Sequence, residues 1–424
     1  MSDIRRTIEA VWRMEAPRLI ASLARMLGDV GVAEELAQDA MVAALEHWPA
    51  SGVPDNPAAW LMATAKRRAI DHLRRQQRIH GKHVEFGHEL EPAAPAPDPE
   101  AVADDPVGDD LLRLIFTTCH PVLSTEARIA LTLRLLGGLT TSEIARAFLV
   151  PESTVAQRIV RAKRTLAEAH VPFEVPRGAA LGMRLSSVLE VIYLIFNEGY
   201  AATAGEHWVR PALCEEALRL GRILAELAPH EAEVHGLMAL MEIQASRLRA
   251  RTGPDGEPIL LLDQDRSRWD HLLIGRGLAA LERAEALGGT LGPYALQAAI
   301  AACHARARVA GDTDWERIVA LYDALAQLSP SPVVELNRAV AVSMAFGPAA
   351  ALEIADALME EPMLARYHLL PSVRGDLLQK LGRTREARAE FLRAAELTGN
   401  ARERRLLQER ALACESRTAK SGAP

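Results

Sequence analysis

Near the middle of the chain, Ser153, Thr154, Gln157, Arg158, Arg161 and Arg164 fall on one side of a short helical run, and their chemistry is that of nucleic-acid contact. Gln and Arg side chains reach base edges in a major groove, and the free amides at a helix start, here beside Glu152 and Ser153, favour phosphate oxygens. The other side of the run is apolar. Val155, Ile159, Ala162 and Leu166 repeat at steps of four, three and four, so this stripe is expected to face the core of its own domain. A second basic stretch, Ala58 to Arg78, puts Leu61, Ala65, Ala69 and Leu73 on one face and Arg67, Arg68, Asp71, Arg74 and Arg75 elsewhere. For either stretch alone, the solvated face of an ordinary helix is the competing reading.

These side chains need helices to hold them. Thr140 to Lys163 reads as a helix, a tight break at Val150-Pro151 and a second helix, which is a helix-turn-helix pattern. It sits in a helical stretch from Leu111 to Ala169, with Ser124 and Thr125 as capping candidates and Gly137-Gly138 as a break. Apolar spacing from Ala16 to Trp48 predicts two helices, interrupted at Gly28 and Gly31, and the turn-rich Pro49 to Pro57 leads into the basic stretch. Between the two basic regions, Glu85 to Asp110 mixes five prolines with acidic residues, a composition expected to form a mobile tether. Past Pro176, Gly311, Gly347 and Gly382 recur at 36 and 35 residues, close to the tetratricopeptide period. Short helices are expected there at Trp315 to Leu328, Val333 to Met344, Ala349 to Leu358, Ser372 to Leu381 and Arg385 to Ala395.

Composition agrees with helices throughout. The 424 residues are 49% apolar but only 4% aromatic, rich in Ala, Leu, Arg and Glu, so an all-α protein of two to four folded units is expected. A net charge of −7 argues against a nonspecific nucleic-acid coat, yet charge acts within a Debye length of roughly 8 Å, so basic stripes still bind phosphate. Cys119, Cys214, Cys303 and Cys414 show no CxxC spacing, and His80, His83 and His88 no ligand spacing, so no metal, cofactor or disulfide framework is expected. A soluble protein of the reducing cytoplasm is expected, with no membrane partner, because no run approaches roughly 18 uninterrupted apolar residues and Met1 to Ala10 lacks an apolar signal stretch.

Several motifs together resemble a family. Ala33-Glu34-Glu35-Leu36-Ala37-Gln38-Asp39, Asn56-Pro57-Ala58-Ala59-Trp60-Leu61 and Ala69-Ile70-Asp71-His72-Leu73-Arg74-Arg75 resemble the N-terminal domain of extracytoplasmic-function (ECF) sigma factors of the sigma-70 family. Thr140 to Lys163 is similar to the minus-thirty-five reader of the same family. Phe196-Asn197-Glu198-Gly199-Tyr200 and Leu262 to Asp270 resemble signatures of the subgroup with a tetratricopeptide-like C-terminal extension. The resemblance implies a region 2 type domain over 8–82, an acidic linker over 83–110, a region 4 type domain over 111–171 and a helical solenoid over 178–412.

It also implies roles. Glu35, Gln38 and Asp39 fall where the family grips core RNA polymerase, on its beta-prime clamp, with the beta subunit as a further partner. Trp48 and Asn56 bound the loop that captures a flipped base of the melted minus-ten strand, beside Arg67, Arg68, Asp71, Arg74 and Arg75; Ser153, Thr154, Gln157, Arg158, Arg161 and Arg164 would read duplex promoter DNA at minus thirty-five. Glu198, Asp263, Asp265, Arg266 and Asp270 are regulatory-interface candidates rather than catalytic groups, since no nucleophile with a base and an orienting acid is apparent. Three rivals stay open: an operator-binding regulator with a helical sensor, a tetratricopeptide scaffold, and a hidden enzyme in 178–412.

Overall fold

The computed structural model describes residues 3–85, 107–148 and 150–421. Most of the expected acidic tether lies outside the described residues, as do His88 and the side chains of His80 and His83. The described chain is almost entirely helical and divides into two compact units, Met1–Ile192 and Tyr193–Pro424.

The first unit begins with α1 (Asp3–Leu27), α2 (Val30–Ser51) and α3 (Pro57–Glu85), each packed on the other two. Gly28 ends α1 because it adopts φ +69°, a conformation costly for residues with a Cβ. Asp29 then caps α2, its Oδ1 accepting from the amides of Gly31 at 2.6 Å and Val32 at 3.0 Å. Asn56 caps α3 in the same way, accepting from the Ala59 amide at 3.0 Å. The expected α3 face is buried at Leu61, Ala65 and Ala69.

Trp48, placed by resemblance at the edge of a base-capturing loop, is a core residue with 1% exposure, set edge-to-face against Trp60 at 5.4 Å. The helix runs on through Pro49 to Ser51, because a proline in the last turn removes only one amide close to an end that frays anyway. The loop is therefore limited to Gly52 through Asn56.

The same unit continues with α4 (Val107–Thr118), α5 (Thr125–Leu135), α6 (Thr141–Phe148) and α7 (Glu152–Glu168). Asp110, expected in the tether, lies inside α4 and is 2% exposed; Arg25 of α1 at 3.0 Å and Arg113 at 2.7 Å compensate its charge. Ser124 caps α5, and a reciprocal box starts α6, with Thr140 N donating to Glu143 Oε2 at 2.7 Å and Glu143 N to Thr140 Oγ1 at 3.1 Å. Helices α5 and α6 pack on α7, α4 packs on α1, and α2 touches α7.

The next helix, α8 (Ala179–Tyr200), has its residues to Ile192 in the first unit. There Arg184 Nη2 donates to Phe116 O and Ser187 Oγ to Cys119 O, both at 2.7 Å, satisfying carbonyls at the end of α4. Arg128 of α5, 9% exposed, bonds Ser187 Oγ, Glu190 Oε2 at 3.0 Å and Thr125 Oγ1 at 2.9 Å. Ala180–Tyr200 is also the one described helix long and apolar enough to cross a membrane by length and composition.

The second unit holds β1 (Ala204–Gly205), α9 (Pro211–Leu227), α10 (Ala232–Ala245), α11 (His271–Ala286), α12 (Pro293–Arg306), α13 (Trp315–Leu328), α14 (Pro332–Ala345), α15 (Pro348–Ala357), α16 (Leu369–Lys380), α17 (Thr384–Leu397), β2 (Gly399–Asn400) and α18 (Ala401–Ser421). From α12 onward each helix packs on the next, as stacked hairpins do. The two ends of this unit meet. β1 pairs in parallel with β2, and the wholly buried Asn400 donates from Nδ2 to Ala202 O at 3.0 Å and His207 O at 2.9 Å while its Oδ1 caps α18. All four cysteines are buried, and none forms a disulfide.

Candidate functional site

The geometry of α7 follows from its stripe. Val155, Ile159, Ala162 and Leu166 are buried against α5 and α6, which turns Ser153, Gln157, Arg161 and Arg164 to solvent and leaves Thr154 and Arg158 half-buried. These donor-rich and hydroxyl side chains and the open first turn thus lie along one accessible helix side. Arg158 faces Glu126, whose carboxyl is held below its usual range by hydrogen bonds from its own backbone and Ser124, with the charges of Arg158 and Arg128 adding to them. Arg164 pairs with Glu168 at 3.3 Å across an exposed turn, a contact too solvated to fix it.

Sequence reasoning passed over Val160, which is 65% exposed among these polar groups. Its signal was available, because the stripe that buries Val155 and Ile159 leaves no place for Val160 in the core.

On α3, Arg67, Asp71, Arg74 and Arg75 are exposed, and Asp71 approaches Arg74 only at 3.9 Å. Arg68 is half-buried and reaches Asp39 of α2 at 3.2 Å, so the proposed DNA helix and the proposed polymerase helix share an ion pair. Asn56 is exposed at the loop mouth. Glu35 and Asp39 are exposed, while Gln38 is half-buried and donates to Glu34 Oε1 at 2.6 Å. Glu34 itself, also passed over, is 3% exposed and paired with Arg134 of α5 at 2.7 Å and with Lys163 of α7.

Four of the five regulatory candidates have a local structural task. Glu198 accepts from Arg210 at 2.5 Å and from Thr203 Oγ1 at 2.9 Å. Asp265 accepts from the Ser267 hydroxyl and amide, which hold its carboxyl below the usual range, and Asp270 caps α11 through the Leu272 and Leu273 amides. Arg266 donates to His304 O at 2.6 Å and Ala307 O at 2.7 Å, closing the C-terminal end of α12. Asp263 is exposed.

The two sequence signatures of this unit meet through stacking. Arg251 lies over Tyr200 at 3.7 Å, Arg247 stands 5.7 Å from both Tyr200 and Trp269, and Arg266 lies over Trp269 at 4.8 Å. Interleaved aromatic faces reduce the repulsion of three cations that are otherwise costly to bury. Beside them His304 is pushed down to about 3, first by burial and then by Arg247 and Arg266.

Known families match three separate stretches of the chain. The family model for sigma-70 region 2 matches residues 11–79, that for sigma-70 region 4 matches 113–166, and a family of unknown function (DUF6596) matches 184–285. An uncharacterized protein of Rhizobium meliloti is 45% identical over 392 residues, 91% of each chain. ECF RNA polymerase sigma factor SigK of Mycobacterium tuberculosis is 31% identical over 154 residues, 35% of this chain and 78% of that protein. The probable ECF RNA polymerase sigma factor SigI of the same organism is 28% identical over 166 residues, 39% of this chain and 56% of that protein.

Proposed function

The chain belongs to the ECF RNA polymerase sigma factors, and we propose how its parts divide the direction of transcription initiation. As an alternative sigma factor it binds core RNA polymerase and promoter DNA, and sigma factors act on polymerase in the cytoplasm. In our reading it catalyses no step itself. Glu35, Gln38 and Asp39 grip the beta-prime clamp, an acidic surface suited to a basic partner. Asn56, Arg67, Arg68, Asp71, Arg74 and Arg75 bind the melted minus-ten strand, with Trp48 acting from beneath as the packing that holds the loop. Ser153, Thr154, Gln157, Arg158, Arg161 and Arg164 bind the minus-thirty-five duplex.

The observation that carries this reading is α7: its apolar stripe is buried and its Gln and Arg side chains stand outward on a helix-turn-helix. Run-off transcription from genomic fragments with purified core polymerase tests it. Initiation that requires both the chain and core polymerase is expected; tight promoter binding by the chain alone, without transcription, would identify an operator-binding regulator instead.

The extension regulates this activity in our reading: Glu198, Asp265, Arg266 and Asp270 act by fixing the shape of its loop segments, and the exposed Asp263 offers a contact to a partner. Cutting the chain after Arg177 would also remove Arg184, Ser187 and Glu190 from the region 4 helices. Point substitutions at Asp263 and Arg266 therefore test regulation more cleanly, and transcription unchanged in both refutes the regulatory role.

A further inference from the structure

In the acidic run on α2, Glu35 and Asp39 are open to water and Glu34 is not. Its two oxygens are taken by cations from the region 4 helices, Oε1 by Arg134 Nε of α5 at 2.7 Å and Oε2 by Lys163 Nζ of α7. The stem of Lys163 lies close over the start of α2, so that a Cβ on Gly31 would stand 3.6 Å from Lys163 Cδ. This places a residue of the reading helix directly on the helix that carries Glu35, Gln38 and Asp39.

We propose that Glu34 is a further polymerase-binding carboxylate, which the free chain keeps occupied with its own Arg134 and Lys163, so that engaging polymerase and releasing the α7 reader are one exchange. The inference rests on the reading of Glu35, Gln38 and Asp39 as the polymerase grip. A basic surface of core polymerase approaching that grip meets Lys163 and Arg134 already seated on the same helix face, and one carboxylate cannot serve both sets of cations. The exchange is feasible because a buried ion pair gains little over its hydrated parts. It also has a geometric purpose: while α2 and α7 touch, the two DNA readers are held side by side and cannot span separated promoter elements.

The test uses the full chain labelled for energy transfer at two exposed alanines, Ala63→Cys on α3 and Ala167→Cys on α7, the four native cysteines being buried. Lys163→Glu and Glu34→Gln are compared with the parent for label separation and for binding to core polymerase without DNA. Both variants are expected to separate the labels. Their effects on polymerase binding are expected to oppose each other: Lys163→Glu tightens it roughly fivefold by freeing the carboxylate, and Glu34→Gln weakens it by removing that carboxylate. Unchanged separation in Lys163→Glu, or polymerase affinities that move in the same direction, overturns the proposal while a parent that binds polymerase leaves the underlying reading intact. A parent that fails to bind core polymerase sinks both.

Discussion

Asn400→Ala should loosen both ends of the second unit at once, although the residue sits at the start of its last helix. The side chain makes four hydrogen bonds: Oδ1 accepts from the Arg402 amide at 3.0 Å and the Glu403 amide at 3.2 Å, and Nδ2 donates to Ala202 O and His207 O, almost two hundred residues earlier. Losing the cap costs about 1 kcal/mol. Leaving the carbonyl of the buried Ala202 without a donor costs about 1 to 3 kcal/mol more, whereas that of the exposed His207 can take water. The sum, about 2 to 4 kcal/mol, is a large part of the roughly 5 to 15 kcal/mol typical of a folded domain. Asn400→Asp separates the two contributions, because it keeps the cap acceptor and replaces the donor with a carboxylate facing two carbonyls. That carboxyl should have a folded pKa raised above its unfolded value of about 4, so the variant is more stable at low pH, where it is protonated, and loses stability as pH rises through the folded value. Amide hydrogen exchange on the full chain reads both ends. Faster exchange is expected in α18 and also around Ala202 to Gly205. If Asn400→Ala frays α18 alone, the ends are not energetically joined and the reasoning fails.

Other perturbations have equally definite outcomes. Arg158→Ala together with Arg161→Ala should weaken promoter binding by about 1 to 3 kcal/mol for each base the two side chains read, and reduce run-off transcription accordingly with circular dichroism unchanged; wild-type transcription would show that α7 does not read DNA. Trp48→Ala should cost about 3 to 5 kcal/mol, seen as early unfolding of the first unit in urea, and a native-like transition would contradict its place in the core. Because His304 is pushed down to about 3, the unfolded chain takes its proton first as pH falls; stability present above about 6.5 should be lost progressively toward that lower value. His304→Gln should flatten that part of the pH profile, and an identical slope in both proteins would remove His304 as its source.

Whatever is periodic and local can be read from the chain. Val155, Ile159, Ala162 and Leu166 announce a helix and its buried side, and the helices around Gly347 and Gly382 begin and end within three residues of their expected positions, because spacing and breakers are properties of neighbouring residues. Long-range charge pairing leaves no such mark. Glu34 looks like its exposed neighbour Glu35 until Arg134 and Lys163 are brought to it from 100 and 129 positions away, and Asp110 looks like part of an acidic tether until Arg25 arrives. Trp48 misleads for a related reason: a proline one residue later suggests a loop, whereas the packing of Trp48 on Trp60 decides that the helix continues. The stacking of Arg251, Tyr200, Arg247, Trp269 and Arg266 explains why two separate signatures occur in one unit, yet nothing in either stretch names the other.

The bonds from Arg184, Ser187 and Glu190 to α4 and α5 have a practical meaning for chimeras. A fusion point chosen by family boundaries, just past the last residue of the DNA-reading segment, would strip that segment of a strut it relies on. Transplants should instead carry the stretch through Ile192 with the donor's reader, or bring Thr125, Arg128 and the end of α4 along with the recipient's regulator. The genetic seam, just past residue 166, and the mechanical seam, at Ile192, lie 26 residues apart (192 less 166).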